Sequence, residues 1–151
     1  MVKKALQTFL LGMFFLSGTA FAQLPADTEM QRAVAVFEKT IQALREMKAR
    51  SEQSGKMEMA AYLQKKIDLA EKYIAVKKLQ IPLMNEIQKT ENELREIEFD
   101  ASSGDNEAIR KEQDLRRKRQ KLLDDYARLQ SEANALLTQF STVKFSTVNP
   151  S

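Results

Sequence analysis

Apolar side chains recur three and four residues apart through almost all of residues 28 to 140. This spacing places them on one face of an α-helix, as in a helix that packs against a partner. Only 4 of the 151 residues are glycine and 3 are proline, so the turn residues of a many-stranded β fold are scarce. The sequence therefore predicts an all-α fold in a single domain.

Two turn signals divide the pattern into three helices. The first is Ser51 to Lys56, which contains Gly55, and the second is Ser102 to Asn106, where Asp105 is a good N-cap. The residues between the turns also suit helices, because the helix ends that the apolar spacing predicts coincide with those that the capping residues predict. The predicted helices cover about 28–51, 57–101 and 105–140.

The apolar stripe of the second helix shifts by one residue beyond Pro82. A proline inside a helix removes a backbone donor and crowds the carbonyl four residues earlier. We therefore predict a kink with a change of phase at Pro82. The alternative is two separate helices that are broken near Gln80.

The last helix carries leucines seven residues apart, which is the spacing of a coiled-coil seam. A second core position lies between successive leucines. The predicted seam is strongest from Leu122 onward and includes Leu115, Leu122, Tyr126, Leu129, Ala133, Leu136 and Phe140.

The short turn at Gly104 predicts that the second and third helices lie antiparallel. Residues 83–101 carry a net charge of −4 and residues 107–121 a net charge of +4, which supports this pairing. The residues predicted to pair across the two helices are Glu86, Glu91 and Glu93 with Arg116, Lys118 and Arg119.

Helix lengths then predict an elongated shape. We expect an antiparallel helical hairpin or coiled coil, with a three-helix bundle at one end and a two-helix arm, residues 85–121, at the other. Leu69, Tyr73, Val76 and Leu79 lie off the main stripe of the second helix and favour a further contact face. The motif Phe-Ser-Thr-Val occurs twice, at residues 140–143 and 145–148. Residues 141–151 are predicted to form a flexible tail, or alternatively a strand that adds to a partner's sheet.

The first 22 residues have the pattern of a cleaved export signal. Lys3 and Lys4 precede a mostly apolar run, Leu6 to Leu16, which is too short to span a bilayer comfortably. Ala20 and Ala22 provide the small residues that a signal peptidase requires, so Gln23 is the predicted first residue of the mature chain. The prediction is a periplasmic or secreted bacterial protein without a permanent membrane anchor.

Cleavage also changes the charge balance. The loss of two lysines reduces the 24 basic residues to 22 against 21 acidic ones, so the net charge falls from +3 to +1. A general attraction to nucleic acid is therefore not expected. The basic run Arg116 to Lys121 leaves an anionic envelope ligand as the less favoured alternative to pairing with the facing acids.

The chain contains no histidine and no cysteine. This composition excludes catalytic triads that depend on histidine, zinc sites built from cysteine and histidine, and disulfide scaffolds. No glycine-rich phosphate loop is present either. We therefore expect no enzyme activity, no cofactor and no metal site.

In gross architecture the chain is similar to the periplasmic Skp/OmpH-type chaperones, with an export signal, a short mature chain and a long charged helical hairpin. The resemblance implies a holdase, but it rests on no motif, and no residue roles follow from it. Those proteins build a β-stranded trimerisation body just after the signal, whereas here Gln23 to Asp27 leads straight into a helix.

The leading hypothesis is thus an exported, non-enzymatic coiled-coil protein that binds a protein partner or itself as a scaffold of the envelope. The alternatives are a periplasmic holdase and a secreted helical adaptor or effector.

Overall fold

The computed structural model describes residues 27–145, and within that range the protein is all-helical. Its three helices are α1 (Asp27–Gln53), α2 (Met57–Ser102) and α3 (Asn106–Thr142). These bounds lie within two residues of those that the sequence predicts. The all-α prediction is confirmed.

Both turns depend on a glycine with a left-handed backbone. Gly55 has a φ of 70° and Gly104 a φ of 88°, values that side chains with a Cβ rarely adopt. Asp105 caps α3, since its carboxylate accepts a hydrogen bond of 2.9 Å from the backbone N–H of Glu107.

Contacts between side chains show that successive helices run antiparallel. Glu38 of α1 pairs with Lys78 of α2, and Arg45, further along α1, pairs with Glu71, earlier in α2. In the same way Lys118 of α3 pairs with Glu86 of α2, and Gln130, further along α3, contacts Gln80, earlier in α2. Helix α2 is central, because α1 and α3 each pack along it and, among the described residues, not along each other.

One hydrophobic core receives side chains from all three helices. At its centre the ring of Phe37 lies 4.4 Å from that of Tyr73 and 6.0 Å from that of Phe140, measured between centroids. Ala70 and Ala133 are fully buried and allow the helices to approach closely. The off-stripe residues Tyr73 and Val76 lie in this core, so α2 does have a further contact face, whereas Leu79 is exposed.

Helix α2 is continuous through Pro82, so the alternative of two separate helices is wrong. The kink at Pro82 stays a prediction, and the buried residues on both sides of Pro82 follow one another at helical spacing. The buried stripe runs through Tyr73, Val76, Gln80 and Met84 at helical spacing, so that a polar residue, Gln80, fills a core position just before Pro82. The apparent one-residue offset of the apolar stripe arose because Gln80, a polar residue, was not counted as a core residue.

The end of α3 differs from the predicted tail. The helix continues to Thr142, and the ring of Phe145 packs edge-on against Tyr62 at 5.7 Å between centroids. The chain therefore contacts α2 through Phe145, a residue that the sequence analysis assigned to the tail. The remainder of the Phe-Ser-Thr-Val repeat lies outside the described residues.

Candidate functional site

A polar layer crosses the interface between α2 and α3; it consists of Lys77, Gln80, Gln130 and Asn134. The amide of Gln80 donates to the Oε1 atom of Gln130 at 3.0 Å, and the Lys77 ammonium donates to the same atom at 3.1 Å. Gln130 in turn donates to Asn134 at 3.0 Å. These bonds span both helices and require them to pair in one register.

Gln80 is the most unusual member of the polar layer, because its side chain is 0% exposed. Its Oε1 atom has no hydrogen-bond partner within residues 27–145. A buried amide oxygen without a donor destabilises the fold by about 1–3 kcal/mol relative to a satisfied one. The polar layer therefore lowers stability locally while it restricts how α2 and α3 can pair.

Burial shifts the pKa values of ionisable side chains in and near the polar layer. It lowers the pKa of Lys77 to about 8, because the ammonium is removed from water and burial is the only cause of the shift. It also raises the pKa of Tyr73 to about 12, and it raises the pKa of Tyr126. The Lys77 ammonium lies 5.7 Å from the centroid of the Tyr73 ring, which provides part of its electrostatic support.

Stability should consequently rise with pH through the titration of Lys77. Between about pH 8 and 10.5 the unfolded chain binds the lysine proton and the folded chain does not, so deprotonation favours folding. We expect the free energy of unfolding to increase by about 3 kcal/mol over this window, measured by urea denaturation at several pH values.

Lys77→Met should remove this pH dependence, and Lys78→Met is the matched control. Lys78 is the next residue, but it is exposed and pairs with Glu38 at 3.0 Å. If the free energy of unfolding of Lys77→Met rises with pH as steeply as that of the parent protein, the pH dependence does not come from Lys77.

The predicted pairing of charges between α2 and α3 forms at one position. Lys118 Nζ donates to Glu86 Oε1 at 2.5 Å, which lowers the pKa of Glu86 and raises the pKa of Lys118. Glu93 also raises the pKa of Lys118 through its charge. Both partners are exposed to solvent, so the pair contributes more to register than to stability.

The other predicted pairs differ from what the structure has. Arg116 pairs with Glu112 of its own helix at 2.6 Å, because residues four apart lie on one helix face. Among residues 27–145, Glu91, Glu93 and Arg119 form no ion pair within 4.0 Å. A groove of about 260 Å³ separates several of these side chains, and its lining residues are Glu91, Leu94, Arg95, Glu98, Arg116 and Arg119.

The predicted seam on α3 is only partly buried. Leu115, Ala133 and Phe140 are buried, whereas Leu122, Tyr126, Leu129 and Leu136 are half-buried. Leu137, which the sequence analysis did not select, is buried instead of its neighbour Leu136. A straight helix repeats every 3.6 residues, so a strict seven-residue row turns gradually away from α2.

A few large apolar side chains of the described chain remain exposed, and they are dispersed. Phe99 is 77% exposed near the turn between α2 and α3, and Leu79 is 58% exposed in the middle of α2. Met47 and Met57 are exposed near the opposite turn. Among residues 85–121, Phe99 is therefore the one large apolar side chain that is exposed.

Some predicted features lie elsewhere or have no counterpart in the described range. The predicted cleavage site, Ala20, Ala22 and Gln23, lies outside the described residues. Residues 27–145 contain no cluster of acidic, cysteine or histidine side chains that could hold a metal ion. Among the helices of the same range, none is long and apolar enough to cross a membrane.

The comparisons with known proteins give no family for this chain: no family model matches it, and neither does any curated protein or any solved structure.

Proposed function

We propose that this chain is an exported, non-enzymatic protein that binds or scaffolds other components of the bacterial envelope. Its shape in this proposal is an antiparallel helical hairpin of coiled-coil type, carried on a core of three helices. The observation that carries the proposal is the two-helix arm that α2 and α3 form beyond the reach of α1. A long, charged arm offers surface for a protein partner.

The placement of α1 supports this division into core and arm. Because Glu38 lies beside Lys78 and the helices are antiparallel, the start of α1 at Asp27 lies near residue 89 of α2. Among residues 27–145, the part of α2 beyond that level packs against α3 alone. The exposed Phe99 then lies near the tip of the arm, and aromatic side chains, Phe among them, are enriched at protein interfaces.

The holdase alternative requires apolar surface left over after self-packing. Leu79 and Phe99 provide some, but they lie twenty residues apart on α2, about 30 Å along the helix. A holdase is expected to expose a contiguous apolar patch instead. The dispersed pattern favours one anchored partner over general binding of unfolded chains.

The proposed export and binding can be tested together. We expect the protein to accumulate in the envelope fraction of the organism that makes it, with an intact mass that begins at Gln23. Affinity capture from that fraction should recover the same partner repeatedly from the parent chain. The variant Phe99→Asp should lose this partner, because the anchor side chain becomes charged.

Met57→Asp is the matched control, since Met57 is similarly exposed but lies at the opposite end of α2. It should retain the partner. A chain that keeps residues 1–22 and remains in the cytoplasm would overturn the proposed export. Equal capture by the parent chain and Phe99→Asp would overturn the role of the arm tip.

A further inference from the structure

The leucine row of α3 is used only in part by the fold; it consists of Leu115, Leu122, Leu129 and Leu136. Leu115 is buried against α2, but the three later leucines are half-buried. A row with a seven-residue spacing drifts by about 20° per repeat on a straight helix, so it winds from the α2 face to the edge of α3. Leu129 and Leu136 pack against the hydrophobic core with part of their surface, and the part of the three later leucines that stays accessible forms a narrow apolar strip along that edge.

A row of charges runs beside the leucine row; it consists of Lys111, Lys118, Asp125 and Glu132, which are seven residues apart. The last three each follow a leucine of the row by three residues, and Lys111 precedes Leu115 by four. Residues three or four apart are neighbours on a helix, so each charged side chain flanks the strip. Its first two members are basic and its last two are acidic. All are exposed except Asp125, which is half-buried.

Such a row is complementary to itself when two copies run in opposite directions. An antiparallel pair of α3 helices centred on Leu122 places Lys111 near Glu132 of the second copy. It also places Lys118 near Asp125 of the second copy. Leu122 meets its own counterpart, and Leu115 lies level with Leu129 of the second copy.

A parallel arrangement would instead place like charges side by side, which is unfavourable. The antiparallel arrangement has a two-fold axis, the commonest symmetry of soluble oligomers. It also places the half-buried Leu122 against Leu122 of the second copy, so that apolar surface covers apolar surface at the two-fold axis.

We propose that two copies of this chain associate through their α3 helices, antiparallel about a two-fold axis beside Leu122. The inference deepens the proposed scaffolding function and rests on it for its purpose, because it names a second copy as one partner. Lys118 keeps its bond to Glu86 and gains Asp125 of the second copy, and Asp125 shares its charge with Arg128, 3.2 Å away.

Charge reversal tests the pairing at positions that the fold does not need. Lys111 and Glu132 form no ion pair within residues 27–145. Glu132→Lys and Lys111→Glu should each weaken the dimer about tenfold in Kd, measured by sedimentation over a concentration series, because each change affects two symmetric contacts. The double variant should restore the parental Kd.

Arg117→Glu is the control for charge alone. Arg117 is exposed on the face of α3 away from the strip, and within residues 27–145 its one ion pair is with Asp114 of the same helix, at 3.8 Å. Its reversal should leave the Kd unchanged.

The orientation can be tested by disulfide cross-linking, since the natural chain has no cysteine. The double variant Lys111→Cys and Glu132→Cys should form a covalent dimer on mild oxidation. The two positions are about 30 Å apart on one helix, so they cannot join within a chain. Glu132→Cys alone should not cross-link in the antiparallel dimer.

A covalent dimer of Glu132→Cys alone would overturn the antiparallel arrangement. A chain that stays monomeric throughout the concentration series would overturn the inference, yet continued capture of an envelope partner by that monomer would leave the proposed function intact. A dimer that captures no envelope component would support the inference and overturn the proposed function.

Discussion

Replacing Phe37 by alanine is expected to lower the free energy of unfolding by about 3–5 kcal/mol. Phe37 is 5% exposed, and its ring contacts both Tyr73 of α2 and Phe140 of α3. Its removal leaves a cavity where the three helices meet and weakens the attachment of α1. Chemical denaturation followed by circular dichroism measures the change directly.

Phe99→Ala is the matched control, because it removes the same side chain from a position that is 77% exposed. It should change stability by less than about 0.5 kcal/mol. Similar losses in the two variants would mean that the three-helix core is not centred on Phe37, or that Phe99 is covered in solution.

Much of the fold follows from the sequence for clear physical reasons. The three-and-four spacing of apolar residues specifies helices, and Gly55 and Gly104 specify where they must stop, because both adopt a left-handed backbone. The buried face of α1, which includes Val34, Phe37 and Ile41, is the face that this spacing selects. Local signals of this kind agree with one another and leave few alternatives.

The polar layer shows where sequence reasoning fails. A lysine at position 77 interrupts an apolar stripe visibly, but a glutamine at position 80 is ordinarily a surface residue. Only its hydrogen bond to Gln130, fifty residues away in the chain, explains its burial. A core position that is filled through a distant polar partner cannot be inferred from periodicity alone.

The charge pairs between α2 and α3 are a second such case. The opposite net charges of the two segments indicate which helices are neighbours, but they do not select partners. Arg116 has an acidic residue four positions earlier on its own helix, and that local pair is the one that forms. Charge patterning thus predicted the neighbouring helices correctly and the individual contacts only at Lys118 and Glu86.

The seam of α3 is ambiguous in sequence for a different reason, because consecutive leucines satisfy two periods at once. Leu136 continues the seven-residue row, whereas Leu137 lies four residues after Ala133, close to the 3.6-residue period of a straight helix. The structure buries Leu137, at 9% exposure, and leaves Leu136 half-buried.

Leu137→Ala and Leu136→Ala therefore form a matched pair that decides between the two periods. Because Leu137 packs in the three-helix core, its truncation should lower the free energy of unfolding by about 2–4 kcal/mol. Leu136→Ala should cost about 1 kcal/mol, since less apolar surface returns to water. Equal or reversed losses would show that the seven-residue row, not the straight-helix row, forms the core of the monomer.

Protein concentration separates the two roles of Leu136. Association of two copies stabilises the folded state more at higher concentration. If α3 pairs with α3, the cost of Leu136→Ala should increase with concentration, because the variant loses contacts within the dimer as well as within the chain. The cost of Leu137→Ala should stay constant, because that side chain is already buried by its own chain and has no part in the strip.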